Sequence, residues 1–352
     1  MVTSETNAEE SGPWVRRLDT FQRNHRWAGL SLAVIYKFVD DQGTYQAALL
    51  TYYGFVSLFP LLLLAITILG YVLTGNPEAQ QAVVNSALRN FPVIGDQIAS
   101  NVHSLHGNVT ALVVGVVVTV YGALGVTQAA INAMNQLWAV PMAERPGLGP
   151  AYGRGALYLL VVAAGLIITT ALSGLTTAVS AVLPVSFVAE TAARIVASLL
   201  AIAVNIGLIV TGFRLLTFRH ITFRQHLPGA VIAAVAWQLL LLVGTYLVTH
   251  ELQGTSASYG VFGIVLGLLA WIYLSTLVVL LCAELNTVRV LRLAPRSLLS
   301  VAEPADTAVT AGDRRAFTAY AHAQRRKTFQ QIDVSFHHDE QQPPPPRDPG
   351  EQ

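Results

Sequence analysis

Charge is scarce in this chain. Asp, Glu, Lys and Arg make up 12% of its 352 residues, about half of the roughly 25% found in soluble domains. The formal net charge of +1 gives no basic excess that would argue for nucleic acid. Cysteine is nearly absent. The single Cys282 excludes an internal disulfide, and its apolar surroundings assign it to packing. The stretch from Met1 to Pro13 lacks the positive start and apolar core of a secretory signal, so the later apolar segments are expected to direct insertion. The patterns HExxH, paired CxxC, a glycine-rich phosphate loop and GxSxG are all missing. No catalytic residue, cofactor or metal is therefore predicted, and the chain is not expected to be an enzyme.

Apolar sequence is what the chain has in quantity, at 53% of residues. Six segments are long enough to cross a bilayer, which takes about 20 apolar residues. They cover about 46–73, 109–131, 155–183, 193–213, 227–248 and 259–285. None alternates with period two, so helices are predicted rather than a barrel. A seventh stretch, 27–39, is too short to cross and is broken by Lys37. It reads as an interfacial or elbow helix, with Trp27, Tyr36 and its basic residues at headgroup depth.

Nineteen of the 21 Lys and Arg fall on one side of that arrangement, leaving Arg89 and Arg194 on the other. Positive charge stays in the cytoplasm, so both termini are expected there. The fold class is all-α, a six-helix membrane bundle. Residues 1–45 form a cytoplasmic segment, 46–290 the membrane domain and 291–352 a polar, largely disordered tail. Within the tail, 315–332 can form one polar helix, and the run 343–346 is all proline. On the exterior side, 74–108 carries helical apolar spacing interrupted by Pro92 and reads as two short amphipathic helices. His103 and His106 there, with Asp96, read as surface residues, because no third ligand is defined. His337 to Glu340 reads as a solvated run.

Several short segments together resemble a known family. They are Ala47-Ala48-Leu49-Leu50-Thr51-Tyr52-Tyr53 with Ser57-Leu58-Phe59-Pro60, then Ala129-Ala130-Ile131-Asn132-Ala133-Met134-Asn135-Gln136-Leu137-Trp138. Further on come Leu227-Pro228-Gly229-Ala230, Trp237-Gln238, Tyr259-Gly260, Trp271 and Ala283-Glu284-Leu285-Asn286. Their order and placement resemble the YihY/BrkB family of bacterial inner-membrane proteins, formerly called ribonuclease BN-like. The resemblance covers about 27–292. It departs at Cys282, where the family commonly has glycine, and it does not extend to the tail. It implies a six-helix membrane fold in the bacterial plasma membrane and no settled activity. For relatives it carries links to serum resistance, envelope lipids and export.

The polar residues inside this apolar sequence are the candidates for function. Glu284 stands out, because a carboxylate beside a span is expensive unless it faces protein, water or a partner. It reads either as a proton, cation or headgroup site, or as an interfacial anchor paired with a basic residue. Arg289 is off its helix face, so a partner on another helix is expected. Asn205 and Gln238 read as buried amides bonded across helices. Asn132 and Asn135 share a face and read as a cap or loop clamp. Pro60, after Ser57, predicts a kink that can shape a pathway. Gly260, Gly263 and Gly267 share a face and predict close helix packing. The full candidate set is Glu284, Asn286, Asn205, Gln238, Tyr52, Ser57, Pro60, Asn135, Tyr259 and Gly260.

Two functional classes stand. One is transport, export or flipping of an amphipathic or envelope-related substrate. The other is a scaffold for envelope assembly that transports nothing. Membrane lipids are the expected partners and nucleic acid is not. Ribonuclease activity is disfavoured, since no metal-binding carboxylate cluster or histidine acid/base pair is evident.

Overall fold

Long helices joined by short connections make up most of the described chain. The computed structural model describes residues 13–72, 109–182, 187–250, 252–298 and 309–336. The expected exterior hairpin, with Asp96, His103 and His106, lies outside the described residues, as do the 337–340 run and the prolines at 343–346. Among the described residues there is no strand, in keeping with the all-α expectation.

Two short helices, α1 (Pro13–Asn24) and α2 (Arg26–Asp40), precede six long ones. These are α3 (Gly43–Val72), α4 (Val109–Leu137), α5 (Leu148–Val182), α6 (Phe187–Leu215), α7 (Phe223–His250) and α8 (Leu252–Leu291). A last helix, α9, spans Ala311–Ala323. Five of the long helices, α4 to α8, contain stretches long and apolar enough to cross a membrane. The sixth, α3, is a 30-residue helix of the same apolar character.

Each long helix packs on the next, and α8 closes the ring against α3. Neighbours run in alternating directions. At the start of α3, Gln46 donates to Gln136 at the end of α4 (2.8 Å). Arg154, early in α5, donates to the carbonyl of Thr217, just past α6 (3.2 Å). Gly229, early in α7, donates to Asn286 near the end of α8 (2.8 Å). All these ends gather at one end of the bundle, which also holds most of the described arginines.

The bundle is apolar outside. Leu160 and Ile167 on α5 are each 69% exposed, and continuous apolar surface of this kind is stable only against lipid or a partner. Small residues bring the helices close. A Cβ on Gly122 of α4 would lie 2.8 Å from Cβ of Ser57, and one on Gly125 would lie 2.6 Å from the Tyr53 ring.

At the basic end two helices outrun their expected limits. The α4 helix continues to Leu137, and α8 continues to Leu291. Both stop in a left-handed residue, Ala139 (φ 48°) and Arg292 (φ 56°). Val140 N–H then bonds the Asn135 carbonyl, and Leu293 N–H the Val288 carbonyl. This is the six-to-one cap normally built on glycine. Without glycine at the stop, the sequence offers no clear end signal.

The tail differs from its expectation. In place of a helix over 315–332, α9 starts at Ala311 with a capping box between Thr310 and Asp313. The helix is docked. Ala316 is buried in one cluster with Ala33, Val34, Val288 and Leu293. A Cβ on Gly312 would clash with the Pro295 carbonyl. The 291–352 segment thus includes an ordered part over 309–336 that packs on the membrane domain. Its length and polarity hid an apolar stripe of small residues. A chain ending at Leu298 is expected to lose about 2 kcal/mol of stability. Buried ion pairs cost roughly 3–5 kcal/mol to break, and re-exposing Arg296 to water recovers part of that. The check is a thermal melt in detergent; an unchanged Tm would mean that α9 contributes nothing to the fold.

Candidate functional site

Turn chemistry places the first charged group of the site. Asp41 caps α2, its N–H bonding the Lys37 carbonyl. Gln42 (φ 55°) then reverses the chain into α3. This leaves Lys37 and Asp41 one helical turn apart on the inner face, where they form a buried ion pair. The Lys37 ammonium also donates to the Leu137 carbonyl at the end of α4 (2.9 Å). On its other side lies Glu284 of α8, with Oε2 at 3.8 Å. Lys37 and Glu284 are both 0% exposed and Asp41 is 3% exposed.

The expected cross-helix partner of Glu284 is therefore Lys37, which sequence reasoning placed at headgroup depth. Its burial corrects that placement. The α2 helix packs against α8, so its polar residue turns into protein rather than toward lipid headgroups. Lys37 and Asp41, at i and i+4, carried a legible ion-pair spacing. The short length of the segment concealed it.

Electrostatically the cluster is unbalanced. One ammonium faces two carboxyl groups. The Glu284 and Asp41 side chains are in hydrogen-bonding contact, carboxyl to carboxyl. Burial raises the Asp41 carboxyl above its ordinary value, and Lys37 only partly offsets the shift. Buried charges each cost several kcal/mol to desolvate, so this centre is expensive.

A second layer ties the cluster to α9. The Tyr320 ring stacks over the Lys37 ammonium at 5.2 Å, and its hydroxyl donates to Asp40 (3.1 Å). Arg296 bonds both Asp40 (3.2 Å) and Asp313 (2.5 Å). Burial pushes the Tyr320 phenol well above its usual value, with Asp41 and Asp40 adding to the shift. Asp40, Arg296, Asp313 and Tyr320 were not candidates from sequence. The Thr310-to-Asp313 capping box was the one local signal available.

The other candidates spread around this centre. Asn286 is buried beside Glu284 and accepts from Gly229 N–H while donating to the His226 carbonyl (2.9 Å). It thereby satisfies backbone groups around Pro228. Asn135 is a loop clamp, accepting from the Phe218 N–H (2.9 Å) and donating to the Ile131 carbonyl (2.8 Å). Asn132 is exposed. Gln136 donates to the Asp41 carbonyl (2.7 Å), and the Trp138 carbonyl accepts from Arg219 (2.9 Å). The stretch Asn135 to Trp138 thus binds three neighbouring segments.

Ser57 bonds its own helix at the Gly54 carbonyl (3.0 Å) and packs on Gly122. Tyr52 is 61% exposed on the outer surface. Gln238 is exposed on α7 and Asn205 is half-buried. Neither makes a side-chain hydrogen bond to a described residue, so the expected cross-helix amide bonds are absent there. For Gln238 the reason is direct, since its side of α7 faces outward. Pro60 lies within α3, and Tyr259 and Gly260 within α8. The side chains of Pro60 and Tyr259 lie outside the described ones, as does the environment of Gly260.

The Virulence factor BrkB family profile matches residues 34–303. Inner membrane protein YhjD of Escherichia coli (strain K12) is 25% identical over 275 residues, covering 70% of this chain and 77% of that protein. UPF0761 membrane protein PSHAa0171 of Pseudoalteromonas translucida (strain TAC 125) is 26% identical over 266 residues, covering 73% of this chain and 85% of that protein. No solved structure matches the chain. The matched span includes Lys37, Asp41, Glu284 and Arg296, and stops short of α9.

Proposed function

From a chain that belongs to the Virulence factor BrkB family and is an integral, multi-pass inner-membrane protein, we propose a transport role. The substrate is amphipathic or envelope-related and is exported or flipped across the bilayer. All six long helices cross, and the basic end, with both termini, faces the cytoplasm. The 19 basic residues assigned to that side support the orientation.

One observation carries the reading. Glu284 is fully buried, and its carboxyl faces a second buried carboxyl, Asp41, with the Lys37 ammonium shared between them. A buried cluster with more carboxyl groups than cations is costly, and intramembrane ionisable groups of this kind mark proton or substrate pathways. Two carboxyl groups compete for one ammonium. With both ionised the trio carries one net negative charge, and one proton neutralises it. In the proposed cycle Lys37 shifts between Asp41 and Glu284 as that proton comes and goes. The shift alternately loosens and tightens α2 against α8.

Glu284→Gln tests the proposal, because it keeps the shape and leaves Lys37 paired with Asp41. Membrane insertion should be as in the wild type. Flipping of a headgroup-labelled phospholipid in proteoliposomes should fall at least about tenfold. That corresponds to about 1.4 kcal/mol of the barrier. The pH profile should also flatten. Wild-type activity with an unchanged profile would sink the transport reading. The scaffold reading would then lead, favoured by the docked α9, which builds a composite surface at the basic end.

A further inference from the structure

Two cavities flank the loop that follows α6, and they share Phe218, Arg219 and His220 as lining. One measures about 720 Å³ and is closed on its far side by α9 through Arg314, Arg315 and His322. The other measures about 650 Å³ and is bordered by Arg154 and Arg214. Together they collect five arginines against a single carboxylate, Glu144. That carboxylate is already ion-paired with Arg325.

Membrane topology explains why arginines lie at this end. It does not explain why they converge from α5, α6, a loop and α9 onto one concave surface, since like charges repel at short range. Some are also held in place. The Arg154 guanidinium stacks 4.1 Å over the Phe218 ring and donates to the Thr217 carbonyl. Arg219 donates to the Trp138 carbonyl. Arg214 and Arg315 are exposed and form no hydrogen bond or ion pair with a described residue. Fixed guanidinium groups beside free ones make a receptor for phosphate oxygens.

We propose that this double cleft binds the phosphate of an anionic lipid headgroup. The depth of the site selects a lipid over a free phosphate. Arg154 and Arg214 lie at the ends of membrane-crossing stretches, Leu148–Ala171 and Ile195–Leu215. Headgroups sit at that level. Leu157, one turn along from Arg154, is 49% exposed and offers apolar surface to an acyl chain. Binding here does not depend on the Lys37–Glu284 cycle, so it can hold where transport fails.

The test uses the purified full chain in detergent, with native mass spectrometry reading bound lipid. Dioleoylphosphatidylglycerol should be retained in preference to dioleoylphosphatidylcholine, whose choline cancels the phosphate charge. Each arginine near a membrane surface contributes about fivefold in affinity to an anionic lipid. The Arg214→Gln/Arg315→Gln variant should therefore bind the glycerol lipid about 25-fold more weakly. Arg326→Gln, an exposed change outside both cavities, should bind as the wild type does. Wild-type binding by the double variant, or an equal loss in Arg326→Gln, would overturn the site. Displacement of the lipid by equimolar inorganic phosphate would assign the cleft to a soluble phosphate and overturn the lipid. Independently of any variant, a diazirine-tagged phosphatidylglycerol should label residues 214–222 or 311–322 of the wild-type protein. Labelling only elsewhere would also overturn the proposal.

Discussion

Lys37→Met is expected to destabilise the protein by roughly 3–5 kcal/mol, the range seen when one member of a buried ion pair is removed. Methionine fills much the same volume, so packing is nearly kept. What is lost is the one cation among the described residues that pairs with Asp41 and Glu284, and the two carboxyl groups are left without a counter-charge in a dry site. The Leu137 carbonyl loses its donor as well. The effect should be visible as poor accumulation in the membrane and a low Tm after extraction. Adding Asp41→Asn and Glu284→Gln to Lys37→Met should recover more than half of the loss. The triple variant has no uncompensated charge, and neutral replacement of a whole buried ion set is often tolerated. If the triple variant were as unstable as the single one, the lysine stem and not its charge would hold α2 to α8. A single variant as stable as the wild type would remove the cluster from any account of the fold.

Gly229→Ala should be nearly as damaging, at about 3 kcal/mol, the upper end for forcing extra atoms into a packed interior. A Cβ there would clash with the Cys282 carbonyl and lie 2.5 Å from the Asn286 amide. The first of these is backbone and cannot swing away. The two helices would have to separate, and both Asn286 hydrogen bonds would be strained. Gly207→Ala is the matched control, since nothing lies within 4 Å of its Cβ position. In that helix alanine should be neutral or stabilising, by up to about 1 kcal/mol. Equal Tm values for the two variants would mean that the close approach of α7 and α8 is not needed. The contact also gives a physical reason for the Leu227-Pro228-Gly229-Ala230 segment. Proline removes a backbone donor, glycine lets α8 approach, and Asn286 bonds the backbone groups around the break.

Several features of this protein follow from sequence alone, because they depend on composition and local periodicity. Apolar runs of about 20 residues or more can be satisfied only as membrane helices, and α4 to α8 lie where those runs predict. The scarcity of charge singled out Glu284 as costly, and off-face Arg289 pointed to a partner on another helix. Asn135 could be read as a loop clamp from its place at a helix end. Tertiary structure decided the rest. Which cation meets Glu284 depends on how α2 lies on α8, a contact between residues far apart in the chain that no local spacing encodes. The exposure of Gln238 depends on the rotation of α7 in the ring, since a uniformly apolar helix gives no signal of which side faces its neighbours. The docking of α9 rests on Gly312, Ala316 and the Asp313–Arg296 pair. Small residues and a buried charge pair look polar and weak in sequence, and they become a packing surface only when the matching surface, built from α2 and the end of α8, is already in place.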